Sequence, residues 1–353
     1  MAAGTEPATS EAGFSVATAA SRRRERILLA ICAVVLVVLV VIPLTSLDAA
    51  QSAGLPLLMD RYWFRMATTV TMFVIIAGGW NIIGGLTGYP AFGNVVFFGL
   101  GAYTVGLLVT KSGWPFGLAL IAAVVVTAAA AGLIGLPLLR LRGHYFAVAS
   151  LGVAVATGEV INNAGFFGGA SGIFLPIVRS DLLFYYLMLA GAVATVVITW
   201  AVLRSRFGFA LLAIREDEGA AAVIGVNTTL YKIAAYMLSA ALTGFAGGVF
   251  AQWNVFIDQT TAFNVQVSID SILMALIGGI GTVFGPVIGA AVLEFLIQLF
   301  SGSGDIAAYT QVGLGLLLTV AVIFLPRGIV DFFGGRSSFT LRYLRRTLRE
   351  NGV

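Results

Sequence analysis

Three carboxylates, Glu159, Asp270 and Glu294, lie inside long apolar runs of this chain. An ionisable side chain is expensive to hold there and by default marks a solute pathway or a polar packing site. Asp270 follows the polar residues Gln266 and Ser268, so Glu159, Ser268, Asp270 and Glu294 are the candidates to line a route through the membrane. Catalysis is harder to assemble. Acid–base or nucleophilic chemistry needs titratable groups brought together, and the chain offers one histidine, His144, and one cysteine, Cys32. His144 stands in Arg140-Leu141-Arg142-Gly143-His144-Tyr145, where it reads as an interfacial residue, and no cluster has metal-ligand spacing. A phosphate-cradling Gly-x-x-x-x-Gly-Lys loop is also missing, since neither Lys111 nor Lys232 follows a glycine. The chain is therefore expected to be non-catalytic and to hold no metal or cofactor. If ATP drives its work, another polypeptide binds it.

The densest charge is Arg215-Glu216-Asp217-Glu218, within a hydrophilic connection over 204–227. The pattern predicts one short helix over Ala213 to Ile224, closed near Gly225, with Asn227 capping the next span through its side-chain oxygen. A helix lying along the membrane surface offers a rigid face on which another protein can push.

These residues need a bilayer to position them. Hydrophobic residues make up 59% of the 353 and charged ones only 10%, against about 25% charged in a soluble domain. With a mean hydropathy of +1.00, a water-soluble fold is excluded. Apolar runs stand at 27–47, 64–84, 94–110, 115–139, 144–162, 182–203, 229–252, 265–281, 283–300 and 309–325, which predicts an all-α polytopic membrane protein of about ten spans. The first run is longer than a signal-peptide core and lacks an Ala-x-Ala site after it, so it reads as a retained span.

Orientation follows from the lysines and arginines. With the N-terminus inside, the outer segments hold only Arg61, Arg65, Lys111 and Arg179 of the 20, and basic short loops stay in the cytoplasm. Both ends are thus expected inside, flanking a permease domain at 27–326 with a disordered basic tail at 1–26 and a basic tail at 327–353. The pI near 9.4 reflects this bias and contact with anionic lipid; nucleic-acid binding is not implied.

Two glycine-rich stretches echo one another, Gly84 to Gly93 with Pro90 and Gly278 to Gly289 with Pro286. Glycines interrupting spans at corresponding places of two halves suggest a repeat of broken helices around a central pathway, with Gly85, Gly88, Gly93, Gly279, Gly281 and Gly285 as the breaking residues.

Over roughly residues 65–330 the chain resembles the permease subunits of bacterial ABC importers for branched-chain amino acids, of the LivM type. The likeness is carried by Gly85-Leu86-Thr87-Gly88-Tyr89-Pro90-Ala91-Phe92-Gly93-Asn94 with Phe98-Gly99-Leu100-Gly101-Ala102-Tyr103, by Arg142-Gly143-His144-Tyr145-Phe146-Ala147 with Gly168-Gly169-Ala170-Ser171-Gly172, and by Ala213 to Glu218. It implies a pore-forming subunit of the inner membrane that pairs with a second related permease, two P-loop ATPase subunits and an extracytoplasmic solute-binding protein. It further implies that Arg215, Glu216, Asp217, Glu218, Gly219, Ala220 and Ala221 form the coupling helix that docks on an ATPase. At Val155 and Gly158 the chain departs from the acidic residue and arginine of many relatives. Leucine, isoleucine and valine are the expected solutes, with urea or short amides as the alternative and an ion-coupled secondary transporter as the rival class.

Overall fold

Apolar runs of about 20 residues can satisfy their backbone in lipid only as helices or closed barrels, and the computed structural model of this chain is helical. It describes residues 39–41, 61–178, 180–301, 315 and 328–333. The runs expected at 27–47 and 309–325, the two basic tails and Arg179 fall wholly or largely outside the described residues. By contact the chain divides into residues 1–65 and 66–353. The described part of the first unit is a helical turn at 39–41 and the opening residues of the first long helix.

That helix, α1, runs Arg61–Trp80 and continues as a π-helical segment, Asn81–Leu86. After an interruption come α2 (Val95–Ser112), α3 (Phe116–Leu138), α4 (His144–Asn163) and α5 (Asp181–Arg204). Two short helices follow, α6 (Arg206–Glu216) and α7 (Glu218–Val223), then the long α8 (Thr228–Asn254). The short α9 (Gln259–Ala262), α10 (Val265–Gly278), α11 (Gly285–Ser301) and α12 (Gly328–Phe333) complete the described elements. Among the described residues seven helices are long and apolar enough to cross a membrane, and a shorter apolar helix spans Gly285–Gln298. One two-residue antiparallel pair, β1 (Ile173–Phe174) with β2 (Phe256–Ile257), ties the α4–α5 connection to the end of α8.

Helix ends fall where side chains can cap them. Ser180, Ser205, Asn227 and Asn264 each accept a backbone N–H from the first turn that follows, the Asn227 cap as expected. The single helix expected over Ala213 to Ile224 is instead two. Asp217 takes extended backbone (φ −158°, ψ 112°), and its carboxylate accepts the Ala220 N–H at 3.0 Å. An aspartate that caps forward in this way ends one helix and begins the next.

α8 packs along both α2 and α3. Small residues make this possible, because without water between helices association depends on close packing of backbones. A Cβ at Gly101 of α2 would fall on the Gly244 carbonyl of α8, and one at Gly247 on the Phe98 carbonyl of α2. Gly248 is enclosed by Leu120, Val105 and Ala123. On the outside, α3 and α4 leave Leu118, Ile121, Val125, Leu133, Tyr145, Val148 and Val160 exposed, a surface suited to lipid or to another membrane subunit.

Replacing Gly247 with valine drives two methyl groups into the α2 backbone, so Gly247→Val is expected to destabilise the fold by about 1–3 kcal/mol. Gly117→Ala, at a position with nothing within 4 Å of the added carbon, is expected to stay within about 0.5 kcal/mol of the parent. Thermal unfolding in detergent distinguishes the two.

Candidate functional site

Interrupting a helix inside a membrane frees backbone donors and acceptors, and each must find a partner. At the first interruption side chains from three different elements supply them. Trp80 Nε1 donates to the Ala91 carbonyl at 2.9 Å, folding the chain back over the π segment. Ser150 Oγ of α4 accepts the Phe92 and Gly93 N–H groups at 3.0 and 3.3 Å. Ser268 Oγ of α10 accepts the Val95 N–H at 2.9 Å and so caps α2. Asn94, fully buried, donates to Thr243 Oγ1 of α8 at 3.0 Å.

The second interruption, Gly279 to Phe284, lies against the first. The Asn81 side chain joins them: its Oδ1 accepts the Gly281 N–H at 2.7 Å and its Nδ2 donates to the Thr282 carbonyl at 2.9 Å. A side chain at Gly85 would collide with that amide, its Cβ lying 2.9 Å from both Asn81 Cγ and the Gly281 nitrogen. Gly93 lies on the Ser150 backbone and Gly285 on the Gly279 carbonyl. Gly88, Gly279 and Gly281 hold positive φ, at 74°, 129° and 77°. Gly85 and Gly281 thus meet, Gly279 and Gly285 meet, and Gly88 lies beside the Arg215 side chain that also approaches Gly281, whereas Gly93 packs on α4.

The α6–α7 segment covers this region. Arg215 Nη1 donates to the Gly85 carbonyl at 2.7 Å. Three residues further on, Glu218 is gripped from three sides. Its Oε1 meets Lys232 Nζ at 2.6 Å, its Oε2 accepts from the Tyr89 hydroxyl at 2.6 Å, and Arg142 Nε stands 3.4 Å away. Lys232, 3% exposed, also donates to the Tyr89 oxygen at 3.0 Å and to the Leu139 carbonyl at 3.1 Å, where α3 ends. A cation at a helix C-terminus is favourably placed. A polar cavity of ≈ 280 Å³, walled in part by Arg140, Arg142, Thr228 and Thr229, wets one side of this pair.

Burial works to raise the Glu218 carboxyl, but donation from Lys232 and Tyr89 and the charges of Lys232 and Arg142 outweigh it and hold the group below its ordinary value. Tyr89 moves the other way. Burial, then its bond to the Glu218 carboxylate, push the phenol well above its usual range.

The other face of the segment is free of such contacts. Glu216, Asp217, Gly219, Ala220, Val223 and Ile224 are exposed, Val223 to 87% and Ile224 to 75%, whereas Ala221 is buried. The seven residues grouped from the sequence therefore divide. Arg215, Glu218 and Ala221 hold the segment to the bundle, and Glu216, Asp217, Gly219 and Ala220 face outward.

The carboxylates of the spans do not converge on α6–α7. Asp270 accepts from Gln266 at 2.8 Å, and Glu294, 4% exposed, accepts from Gln298 at 3.2 Å, each one turn away on its own helix. Ser268 is fully buried and engaged as the α2 cap. Glu159 is exposed on α4, one turn from its end. Among the described residues no group of three His, Cys, Asp or Glu could hold a metal.

Lys232, Tyr89, Asn81 and Ser150 were not singled out from the sequence. Lys232 carried a legible signal, an ionisable residue one turn inside an apolar span, the same signal that marked Asp270. Asn81 and Ser150 carried none, because isolated small polar residues are common in such helices.

Among the described residues, seven helices long and apolar enough to cross a membrane, with interruptions stitched together by side chains, make this a multi-pass membrane protein. The chain belongs to the family described as branched-chain amino acid transport system / permease component, whose profile matches residues 62–323. It is 30% identical over 311 residues to the high-affinity branched-chain amino acid transport system permease protein LivM of Salmonella typhimurium, covering 78% of this chain and 71% of that protein. LivM of Escherichia coli matches to the same extent. A shorter match, 28% over 126 residues, covers 36% of this chain and 40% of the permease protein LivH of Escherichia coli. No solved structure matches the chain.

Because the Glu218 carboxyl is lowered in the folded protein, its contribution is fully present above the ordinary value of 4.5 and is lost as pH falls through the lowered folded value. The parent is expected to unfold at a higher temperature than Glu218→Gln at neutral pH, with the difference shrinking as the pH is taken below that ordinary value. Melting curves of both proteins across this range are the check.

Proposed function

We propose that the chain is the transmembrane permease subunit of an ATP-binding-cassette importer of the bacterial inner membrane, carrying branched-chain or other hydrophobic amino acids inward. Family membership supplies the class, and the relatives' names supply the solute. One observation carries the ATP-driven reading. The α6–α7 segment is anchored on one side to the π segment through Arg215 and to Lys232 and Tyr89 through Glu218, and presents an outward face of Glu216, Asp217, Val223 and Ile224 on the other. A rigid piece held this way receives a push and delivers it to the spans.

In this reading the chain has about ten spans with both ends in the cytoplasm, which the basic-residue asymmetry supports. The α6–α7 segment then lies in the cytoplasm. Two P-loop ATPase subunits bind the ATP and dock on it, a second related permease completes the pathway, and an extracytoplasmic binding protein delivers the solute. Asp270 and Glu294 are proposed to line or buttress the pathway, with Glu159 exposed toward the second permease or lipid. Urea or a short amide is the alternative solute, since the binding protein does much of the selecting.

Reconstituted with its partners, the chain is expected to take up leucine only when ATP is supplied. Uptake by this chain alone, driven by a proton or sodium gradient, would overturn the proposal in favour of a secondary transporter. Within the assembled complex, Val223→Arg with Ile224→Arg places charge on the docking face without touching the bundle, and is expected to lower leucine uptake about tenfold, equivalent to about 1.4 kcal/mol. Blue-native electrophoresis is expected to show the ATPase subunits released.

A further inference from the structure

Two polar side chains, Arg215 and Glu218, bond α6–α7 to the bundle, and their contacts differ in kind. Glu218 joins α7 to Lys232 on α8, a continuous helix, and to the Tyr89 hydroxyl. Through Tyr89 that contact reaches the first interruption alone, whereas Arg215 bonds the π segment and lies between Gly88 and Gly281 of the two interruptions. Its acceptor, the Gly85 carbonyl, lies in the last turn of the helix that runs from Tyr62 to Leu86. Carbonyls at a helix C-terminus lack intrahelical partners and carry the negative end of its dipole, so a guanidinium there makes a charge-assisted bond.

The slot that holds the side chain is built from both interruptions. A Cβ at Gly88 would stand 3.2 Å from Arg215 Cγ, and one at Gly281 only 2.8 Å from Arg215 Nη1. Gly88 belongs to the first interruption and Gly281 to the second. Both hold positive φ, which disfavours any larger residue there, so the backbone leaves the space the arginine occupies. Asn81 bonds the Gly281 loop to the same π segment, making the two interruptions one body where Arg215 touches them. Among the described residues no carboxylate pairs with Arg215.

The acceptor lies in a π-helical turn, a rare geometry that is often found at functional sites. A return of that turn to α-helical register would rotate the Gly85 carbonyl away from the guanidinium. The bond to Arg215 therefore favours one register of the first broken helix and, through Asn81, one position of the second.

Resting on the permease reading, we infer that Arg215 is the positioning residue through which movement of α6–α7 shifts the two broken helices together. Glu218 attaches the same segment to the unbroken α8 and to Tyr89 of the first interruption, and its partners Lys232, Tyr89 and Arg142 include no group of the second, so it does not couple the two. Removing Arg215 leaves the outward face and the Glu218 anchor in place, so ATPase subunits still dock and hydrolyse ATP, but the stroke no longer reaches the interruptions.

The test uses the full complex in liposomes, in a Cys32→Ser background with Phe284→Cys reporting on the second interruption by its maleimide labelling rate. In the Arg215 parent, trapping the ATPases with nucleotide and vanadate is expected to change that rate. In Arg215→Met, ATP hydrolysis is expected to persist while leucine taken up per ATP falls about tenfold and the labelling rate stops responding to nucleotide. Arg215→Lys, which keeps the charge but loses the planar fork, is expected to fall between them and supplies the comparison if the methionine variant does not assemble. Parental uptake per ATP and labelling response in these variants would overturn the inference, as would uptake and hydrolysis falling in proportion, the mark of a purely structural contact. Absence of ATP-dependent uptake by the unsubstituted complex would instead refute the permease reading.

Discussion

Backbone groups set free inside a membrane have no water to turn to, and this constraint organises the protein. Each interrupted helix exposes N–H and C=O groups, and the structure answers them with side chains brought from elsewhere in the chain. Ser150 caps from α4, Ser268 from α10, Trp80 folds over from α1, and Asn81 of the π segment bonds the second interruption twice. Such partners must stand within about 3 Å of their targets, so the helices that carry them are held in register by the interruptions they serve.

Close packing by small residues makes that register possible. The α2–α8 contact, where Gly101 and Gly247 lie against opposing carbonyls, brings Thr243 and Ser239 within reach of Asn94. A larger side chain at either glycine would part the helices and leave the Asn94 amide without its partners. Packing and hydrogen bonding are therefore one arrangement here: the glycines set the distance, and the polar groups make use of it.

The charged side chains that join α6–α7 to the bundle gather in one cluster. Glu218, Lys232, Arg142 and Tyr89 form a cluster in which the carboxylate is the hub, and Arg215 beside it turns to a backbone carbonyl. An ion pair with one partner almost fully buried contributes little if replaced whole by apolar groups, but removing one partner strands the other. Its consequence is geometric, since it fixes α7 against α3 and α8 and leaves the opposite face of α7 to a partner.

Composition and run length were enough to determine that this is a helical membrane protein, because runs of about 20 apolar residues favour lipid, where helices satisfy every backbone group within the run. Span positions from 64 to 252 were legible to within a few residues, since transfer into lipid depends on the local apolar run alone. The interruptions were legible too, through their glycines and prolines, and so was the charged segment between α5 and α8. Its division at Asp217 was not, because an aspartate that can end a helix by capping forward is equally able to sit within one. Tertiary structure alone decided that the two interruptions meet, that Asn81 joins them and that Arg215 enters the slot they form. Those bonds link residues as far apart as 81 and 282, and no periodicity or local propensity carries information across such a separation. The sequence placed glycines where the chain could break, and only packing in three dimensions determined what the breaks would hold.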